Sequence, residues 1–168
     1  HTFFKALGCR VVTPEHVVPS AVNRLVTSMC YPAEISVGLF EDLAAHDPDT
    51  IFIPHAKELY VPGGIQRLDF CSTCGFSRGE GFILKQAYRD REEAGRILTP
   101  TVNFSGGWEN GEPAFVETAG DLGFSRQAGR RAFREAVRAQ YAFEERCERL
   151  GRELLERLHA SPESVVIV

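Results

Sequence analysis

The sequence predicts an α/β fold: a three-layer, open, mostly parallel sheet with one long C-terminal helix. Three observations predict it. Short apolar runs recur at residues 9–13, 50–53, 97–104 and 165–168. Segments of helical period, several with recognisable start signals, separate those runs. From Ser125 to about His159, Arg and Glu recur at three- and four-residue spacing around an apolar side, the signature of a long surface helix.

The elements follow in order. Residues 3–7 are the end of a helix that Gly8 closes at the C′ position. Residues 9–13 (CRVVT) form a short buried strand. Residues 17–27 are apolar at near-helical spacing, with Pro19 and Ser20 at their start. Residues 31–45 make a clearer helix: Pro32 suits its first turn, and Ile35, Leu39, Phe40 and Leu43 form the buried stripe. Residues 50–53 (TIFI) are a second buried strand, ended by Pro54 and His55. An irregular connection with a Gly63-Gly64 turn leads to a helix over residues 79–89, whose inner face is Phe82, Ile83 and Ala87. Pro100 makes residues 97–104 an edge strand or a strand start. Residues 105–113 (SGGWENGEP) are a turn-rich loop, with Gly106-Gly107 at the turn and Trp108 folded over as its anchor. Ser125 caps the long helix. Phe133, Val137, Phe143, Cys147, Leu150, Leu154 and Leu158 lie on one side of it. The last strand, residues 165–168 (VVIV), stops where a loop and another helix would follow. With no Met at the start, the chain is expected to be a fragment of a larger protein, truncated at both ends. Residues 1–168 then form a single α/β domain resembling half of a Rossmann- or flavodoxin-like fold.

Composition excludes several classes. A chain of 168 residues buries about 70% of its unfolded surface and needs no disulfide or metal staple. The net charge of −4 argues against a nucleic-acid footprint. No apolar run approaches the ~20 residues of a bilayer span, so no membrane partner is expected. No signal peptide is visible. An odd, unevenly spaced set of 5 cysteines is not a secreted disulfide framework. A reducing, cytoplasmic setting is the expectation.

The cysteines carry the chemistry. Cys30, Cys71 and Cys74 fall where strands end and helices begin, facing exposed N–H groups and the positive ends of helix dipoles. Such positions stabilise thiolates and make sulfur a better metal ligand. In an open α/β sheet, ligands bind beyond the carboxyl ends of strands, where Cys30, His55, Cys71 and Cys74 could converge. Zinc would take all four as a Cys3His set, although the second close pair of a zinc ribbon is missing. An iron–sulfur cluster with an open or exogenous fourth position needs only Cys30, Cys71 and Cys74. The plainer alternative is that these thiols are inert and that His55 is a hydrogen-bonded structural residue. Cys9 and Cys147, on apolar surfaces, are read as core filling. No nucleotide-binding motif and no nucleophile–base pair is present, so no complete active site is expected. Glu34, Glu41 and Asp42 form a solvated helix face.

A resemblance adds to this reading. The segment Met29-Cys30-Tyr31-Pro32-Ala33-Glu34 resembles the Cys-[Tyr/Phe]-Pro stretch of the 2-hydroxyacyl-CoA dehydratase and CoA-substrate-specific enzyme activase superfamily. Ile51-Phe52-Ile53-Pro54-His55 is similar to the strand that follows there. Cys74-Gly75-Phe76-Ser77-Arg78-Gly79, with Phe82-Ile83-Leu84-Lys85 after it, resembles that family's Cys-Pro-Tyr-x-Gln stretch and its helix. Gly123-Phe124-Ser125 and Ala139-Gln140 with Phe143 resemble the long helix of large activase-like proteins, in the domain that follows their ATPase modules. There a strand like residues 165–168 runs into a Gly-Arg-Pro-Tyr motif, which this chain lacks. Gly75, Phe76 and Arg78 depart from the family's Pro, Tyr and Gln, and Cys71 is an additional thiol.

The resemblance implies an iron–sulfur-cluster-binding or cluster-docking domain of an ATP-dependent activator that transfers electrons to 2-hydroxyacyl-CoA dehydratase-like enzymes of anaerobic bacterial metabolism. It implies a [4Fe–4S] cluster with Cys30 and Cys74 as two of three ligands and the third beyond Val168. ATP would be handled only on another domain. The implied partners are the ATPase module or a dehydratase or reductase component, with a homodimer as an option. The alternatives are a non-catalytic α/β interaction domain with inert cysteines, or a zinc-stabilised structural module.

Overall fold

The middle layer of the computed structural model, which describes residues 1–27, 30–61 and 71–160, is a ribbon of parallel strands. Strand β1 (Ile51–Phe52) pairs with β3 (Ile97–Leu98), and β2 (His55–Glu58) pairs with β4 (Thr101–Asn103). Ile51 stands opposite Ile97 and His55 opposite Thr101, so the two pairs share one register until it shifts between Ala56 and Glu58, where Glu58 faces Asn103. Pro54 and Pro100, lacking N–H groups, separate them. The ladder continues across the gap: Ile53 N donates to Leu98 O at 2.9 Å and His55 N to Pro100 O at 2.8 Å.

Strand alternation sorts the side chains into two cores. Ile51 and Ile97 join Val37, Phe40, Leu84 and Tyr88 on one face. That face is covered by helix α2 (Tyr31–Ala44) and by α3 (Gly75–Ala87), which is also the crossover between the paired strands. Phe52 points the other way and meets Phe4 and Phe115 at ring distances of 4.9 and 5.7 Å. Phe3 and Phe133 are buried in this second core. Helix α1 (Thr2–Ala6), helix α4 (Glu112–Asp121) and the first half of α5 (Arg126–Ala160) enclose it. The architecture is therefore three layers about a parallel ribbon, as expected from the sequence.

Several local expectations hold. Gly8, at φ +90, follows α1. Ser125 Oγ accepts from Ala128 N at 3.2 Å and caps α5. Trp108 packs its ring at 5.0 Å from Phe104, as a loop anchor. Residues 17–27 contribute a 3-10 turn, Pro19–Arg24.

Other expectations need correction. Residues 9–13 form no strand, because the neighbouring backbone is bonded to α2 rather than to the ribbon. Val18 N donates to Gly38 O at 3.2 Å, and Glu15 N and His16 N donate to the Asp42 carboxylate at 2.8 and 3.3 Å. Those bonds hold Asp42 below the usual carboxylate range. Gly38 lets this strap lie close, since a Cβ there would stand 2.6 Å from Val17 Cγ1. The buried face of α2 is accordingly Ala33, Val37, Phe40 and Ala44, with Ile35, Leu39 and Leu43 only half-buried. In α3 the inner residues are Gly81, Leu84 and Tyr88, and Phe82 is 60% exposed. Gly81 permits this rotation: a Cβ there would meet Thr99 Cγ2 at 2.3 Å. Helix α4 begins at Glu112, inside the turn-forming run before Pro113 that hides its start in the sequence. Along α5 the expected stripe is buried only as far as Phe133, while Phe143, Cys147, Leu150 and Leu154 are exposed. The Gly63-Gly64 turn and the strand at 165–168 lie outside the described residues, among which no helix is long and apolar enough to cross a membrane.

Candidate functional site

Cys30 and Cys74 are the N-cap residues of α2 and α3, and both are exposed. Each has extended backbone angles, φ −92 with ψ 156 at Cys30 and φ −65 with ψ 153 at Cys74, the conformation that lets the next residue begin a helix. At Cys74 the sulfur itself caps. Its Sγ accepts from Ser77 N at 3.5 Å and lies 3.5 Å from Ser77 Oγ. The Ser77 hydroxyl first, and then its backbone N–H, lower the Cys74 thiol from its ordinary value, against the opposing effects of desolvation and then of the Glu80 charge. Cys30 makes no such side-chain bond; its carbonyl accepts from Ala33 N at 2.9 Å and Glu34 N at 3.2 Å.

The two caps lie at the same end of the molecule, because α2 and α3 run side by side in the same sense. Ser36, six residues after Cys30, hydrogen-bonds through its hydroxyl to the carboxylate of Glu80, six residues after Cys74. Farther along, Tyr88 OH donates to Val37 O at 3.3 Å, and Arg91 pairs with Glu41 at 2.7 Å. The contacts thus advance together along both helices. At 1.5 Å per residue, each cap stands about 9 Å before the Ser36–Glu80 clasp. Tyr88 bolts the pair: it is fully buried, with the Arg24 guanidinium 4.6 Å and the Arg91 guanidinium 5.7 Å from its ring. Burial, and then Glu41, push its phenol well above the ordinary range.

Cys71 and His55 are placed differently. Cys71 is buried; its carbonyl accepts from Leu59 N at 2.9 Å, and Thr73 N donates to Lys57 O at 3.1 Å. These bonds, with the Glu58–Ser72 bridge, lay residues 71–73 antiparallel to the end of β2. His55 opens β2 rather than ending a strand, and its ring packs against Phe82 in a tilted arrangement, centroids 4.4 Å apart. It is 6% exposed, and its Nε2 has no hydrogen-bond partner among the described residues. Burial, and then the nearby Lys85 charge, lower its pKa, so the imidazole is neutral at pH 7. Among the described residues no three His, Cys, Asp or Glu side chains gather to hold one metal ion. The Cys3His zinc set of Cys30, His55, Cys71 and Cys74 is therefore not assembled. His55 sits in the α3-facing layer at the start of β2, whereas Cys71 is aligned with its end. Nor does Cys30 follow a strand as expected; it follows the 3-10 turn of residues 19–24.

A groove of about 730 Å³ runs between Arg24, Val26 and the Phe82–Asp90 side of α3, and neither cap cysteine lines it. Chemically, the caps offer two accessible sulfurs at the positive ends of neighbouring helices. They can act as soft metal ligands or as exposed nucleophilic thiols. The Ser77 contact has a legible sequence signal, a hydroxyl three residues after the cap, which the sequence reading above does not use.

No curated protein and no solved structure matches this chain. One family does match, over residues 1–168, and it is described as a CoA enzyme activase uncharacterised domain.

Proposed function

Starting from a chain that belongs to the CoA enzyme activase domain family, we propose that it supplies Cys30 and Cys74 to an iron–sulfur centre in an ATP-dependent activator. Membership ties its work to a CoA-dependent enzyme. The finer reading is a cluster-binding or cluster-docking part of the electron path to a 2-hydroxyacyl-CoA dehydratase-like partner in the cytoplasm. One observation carries it: two exposed cysteine N-caps stand at the same end of two clasped, parallel helices. A cluster held there would supply low-potential electron transfer, the helix N-termini favouring its negative charge. These two sulfurs fit as ligands but do not complete a set of three, so the reading requires further ligands from outside the described residues. Cys71, being buried, serves as a neighbour. ATP hydrolysis belongs to a separate module, and the partners are that module and a dehydratase- or reductase-like component. A second copy of the chain is a further candidate.

The test is anaerobic reconstitution with iron and sulfide, on the chain joined to its natural flanking sequence where such sequence exists. Expected are stoichiometric iron and acid-labile sulfide, a cluster signal in electron paramagnetic resonance, and loss of both in Cys30→Ala and in Cys74→Ala. Retention of full iron content by both variants would defeat the proposal. A second reading is an α/β interaction domain with inert cysteines, to which the burial of Cys71 in the body lends support. It predicts unchanged partner binding when Cys30 and Cys74 are both replaced.

A further inference from the structure

The two outer edges of the ribbon differ. Along β2, residues 71–73 lie against the edge: Leu59 N donates to Cys71 O, Thr73 N to Lys57 O, and the Thr73 hydroxyl to Ala56 O. Along β3 and β4, no described residue does the same. In a parallel ladder, the N–H and C=O groups of one residue turn to one side and those of the next residue to the other. Leu98 O and Pro100 O accept from Ile53 N and His55 N, so Thr99 and Thr101 turn their main-chain groups outward. Neither residue's main chain bonds to another described residue. A proline commonly blunts an edge, but Pro100 turns its missing N–H inward, toward β2, and the outward donors remain. An edge in this state is a template for one more strand.

The groove beside this edge identifies the occupant. It holds about 430 Å³ and runs between residues 98–101 and the Ala114, Glu117, Thr118 and Asp121 flank of α4. Its charged residues are both acidic, Glu117 and Asp121; both are exposed, and no Lys or Arg lines the groove with them. Asp121 is the last residue of α4, where the helix dipole disfavours a carboxylate, so helix stability does not explain it. The two acids stand one turn apart, about 6 Å along the helix axis. Alternate residues of a strand repeat at about 6.6 Å, nearly the same step. We infer that the β3–β4 edge takes an extended segment of a partner protein with Lys or Arg at two alternate positions. Thr99 and Thr101 hold its main chain, and its two basic side chains lie on the α4 side, over Glu117 and Asp121. Charge disfavours this chain as its own partner: neither the edge itself, residues 97–103 (ILTPTVN), nor the expected strand at 165–168 (VVIV) carries a Lys or Arg. Neither cap cysteine lines this groove, and the inference does not depend on the function proposed for them.

Peptide titration, read by calorimetry and by amide hydrogen exchange, tests the inference. The probe is an acetylated and amidated hexapeptide of alternating lysine and valine. Its controls are the glutamate–valine counterpart and the lysine–valine peptide N-methylated at every residue, which keeps the charge and removes the main-chain donors. The probe is expected to bind with a Kd of about 100 µM and to slow exchange of the Thr99 and Thr101 amides about tenfold. Both controls are expected to bind at least about tenfold more weakly. Glu117→Gln combined with Asp121→Asn, at exposed positions, is expected to weaken the probe by about tenfold while leaving thermal melting unchanged. No binding at about 1 mM overturns the inference. Equal binding of the N-methylated peptide overturns it as well, since charge alone would then be responsible. So does binding that the double substitution leaves unaltered. Slow exchange of the Thr99 and Thr101 amides before any peptide is added would assign the edge to this chain or to a second copy, and that result also overturns it.

Discussion

Cys30 and Cys74 occupy the same position on two parallel helices, yet only one of them is held. Cys74 accepts from Ser77 N, and its thiol is lowered by the Ser77 hydroxyl and N–H. Cys30 has Ala33 at the corresponding position, fully buried and without a hydroxyl to offer. The lesson is that a helix N-terminus by itself does not engage the capping sulfur; the third residue of the helix decides whether a side-chain donor stands beside it. Cys74 is thus the prepared sulfur and Cys30 the unrestrained one, and what aligns them is the packing of α2 against α3.

The strongest way to break this pairing is to remove its bolt. Tyr88→Ala deletes a fully buried ring shared by α2, Arg24 and Arg91, and should cost about 3–5 kcal/mol in urea unfolding. A loss below ~1 kcal/mol would mean that the helices are held by something else. A gentler break is Ser36→Ala, which frees Glu80 and should cost about 1 kcal/mol. Its more telling effect is on geometry: cross-linking of Cys30 to Cys74 by a short bis-maleimide should slow, and an unchanged rate would show that the clasp does not level the caps. The smallest change sharpens the contrast between the two sulfurs. Ser77→Ala removes the largest stabiliser of the Cys74 thiolate and leaves the backbone donor. Because the folded thiol lies below its ordinary value, the pH inflection of iodoacetamide alkylation at Cys74 should move upward, with slower labelling at neutral pH. An inflection that stays put would assign the lowered value to another cause.

Much of this was legible in the sequence. The Cys-Tyr-Pro run fixes a helix start at Cys30, Ser125 fixes that of α5, and the β-branched runs at 50–53 and 97–104 mark the ribbon. What was not legible depended on partners distant in sequence. The apolar run at 9–13 looks like a strand, but the nearby chain satisfies its N–H groups on Asp42 and Gly38 instead. Leu, Phe and Cys at helical spacing on α5 announce a face to be covered without saying by what, so spacing alone reads Cys147 as core although it is exposed. The glycine at 81 rotates α3 by letting Thr99 and His55 approach, which turned Phe82 outward. For the site, the two caps could be read from local sequence. Their common end, and the separation of His55 from them, could not, since both follow from how α2, α3 and β2 pack.

One consequence of the ribbon remains. Ile51 belongs to the core under α2 and α3, while its immediate neighbour Phe52 belongs to the aromatic core under α1, α4 and α5. A single peptide unit therefore joins two hydrophobic compartments, and neither can loosen without dislodging an anchor of the other. Heat should accordingly melt both compartments in one cooperative transition, in which the tryptophan signal of the aromatic side and the burial of Tyr88 on the opposite side are lost at the same temperature.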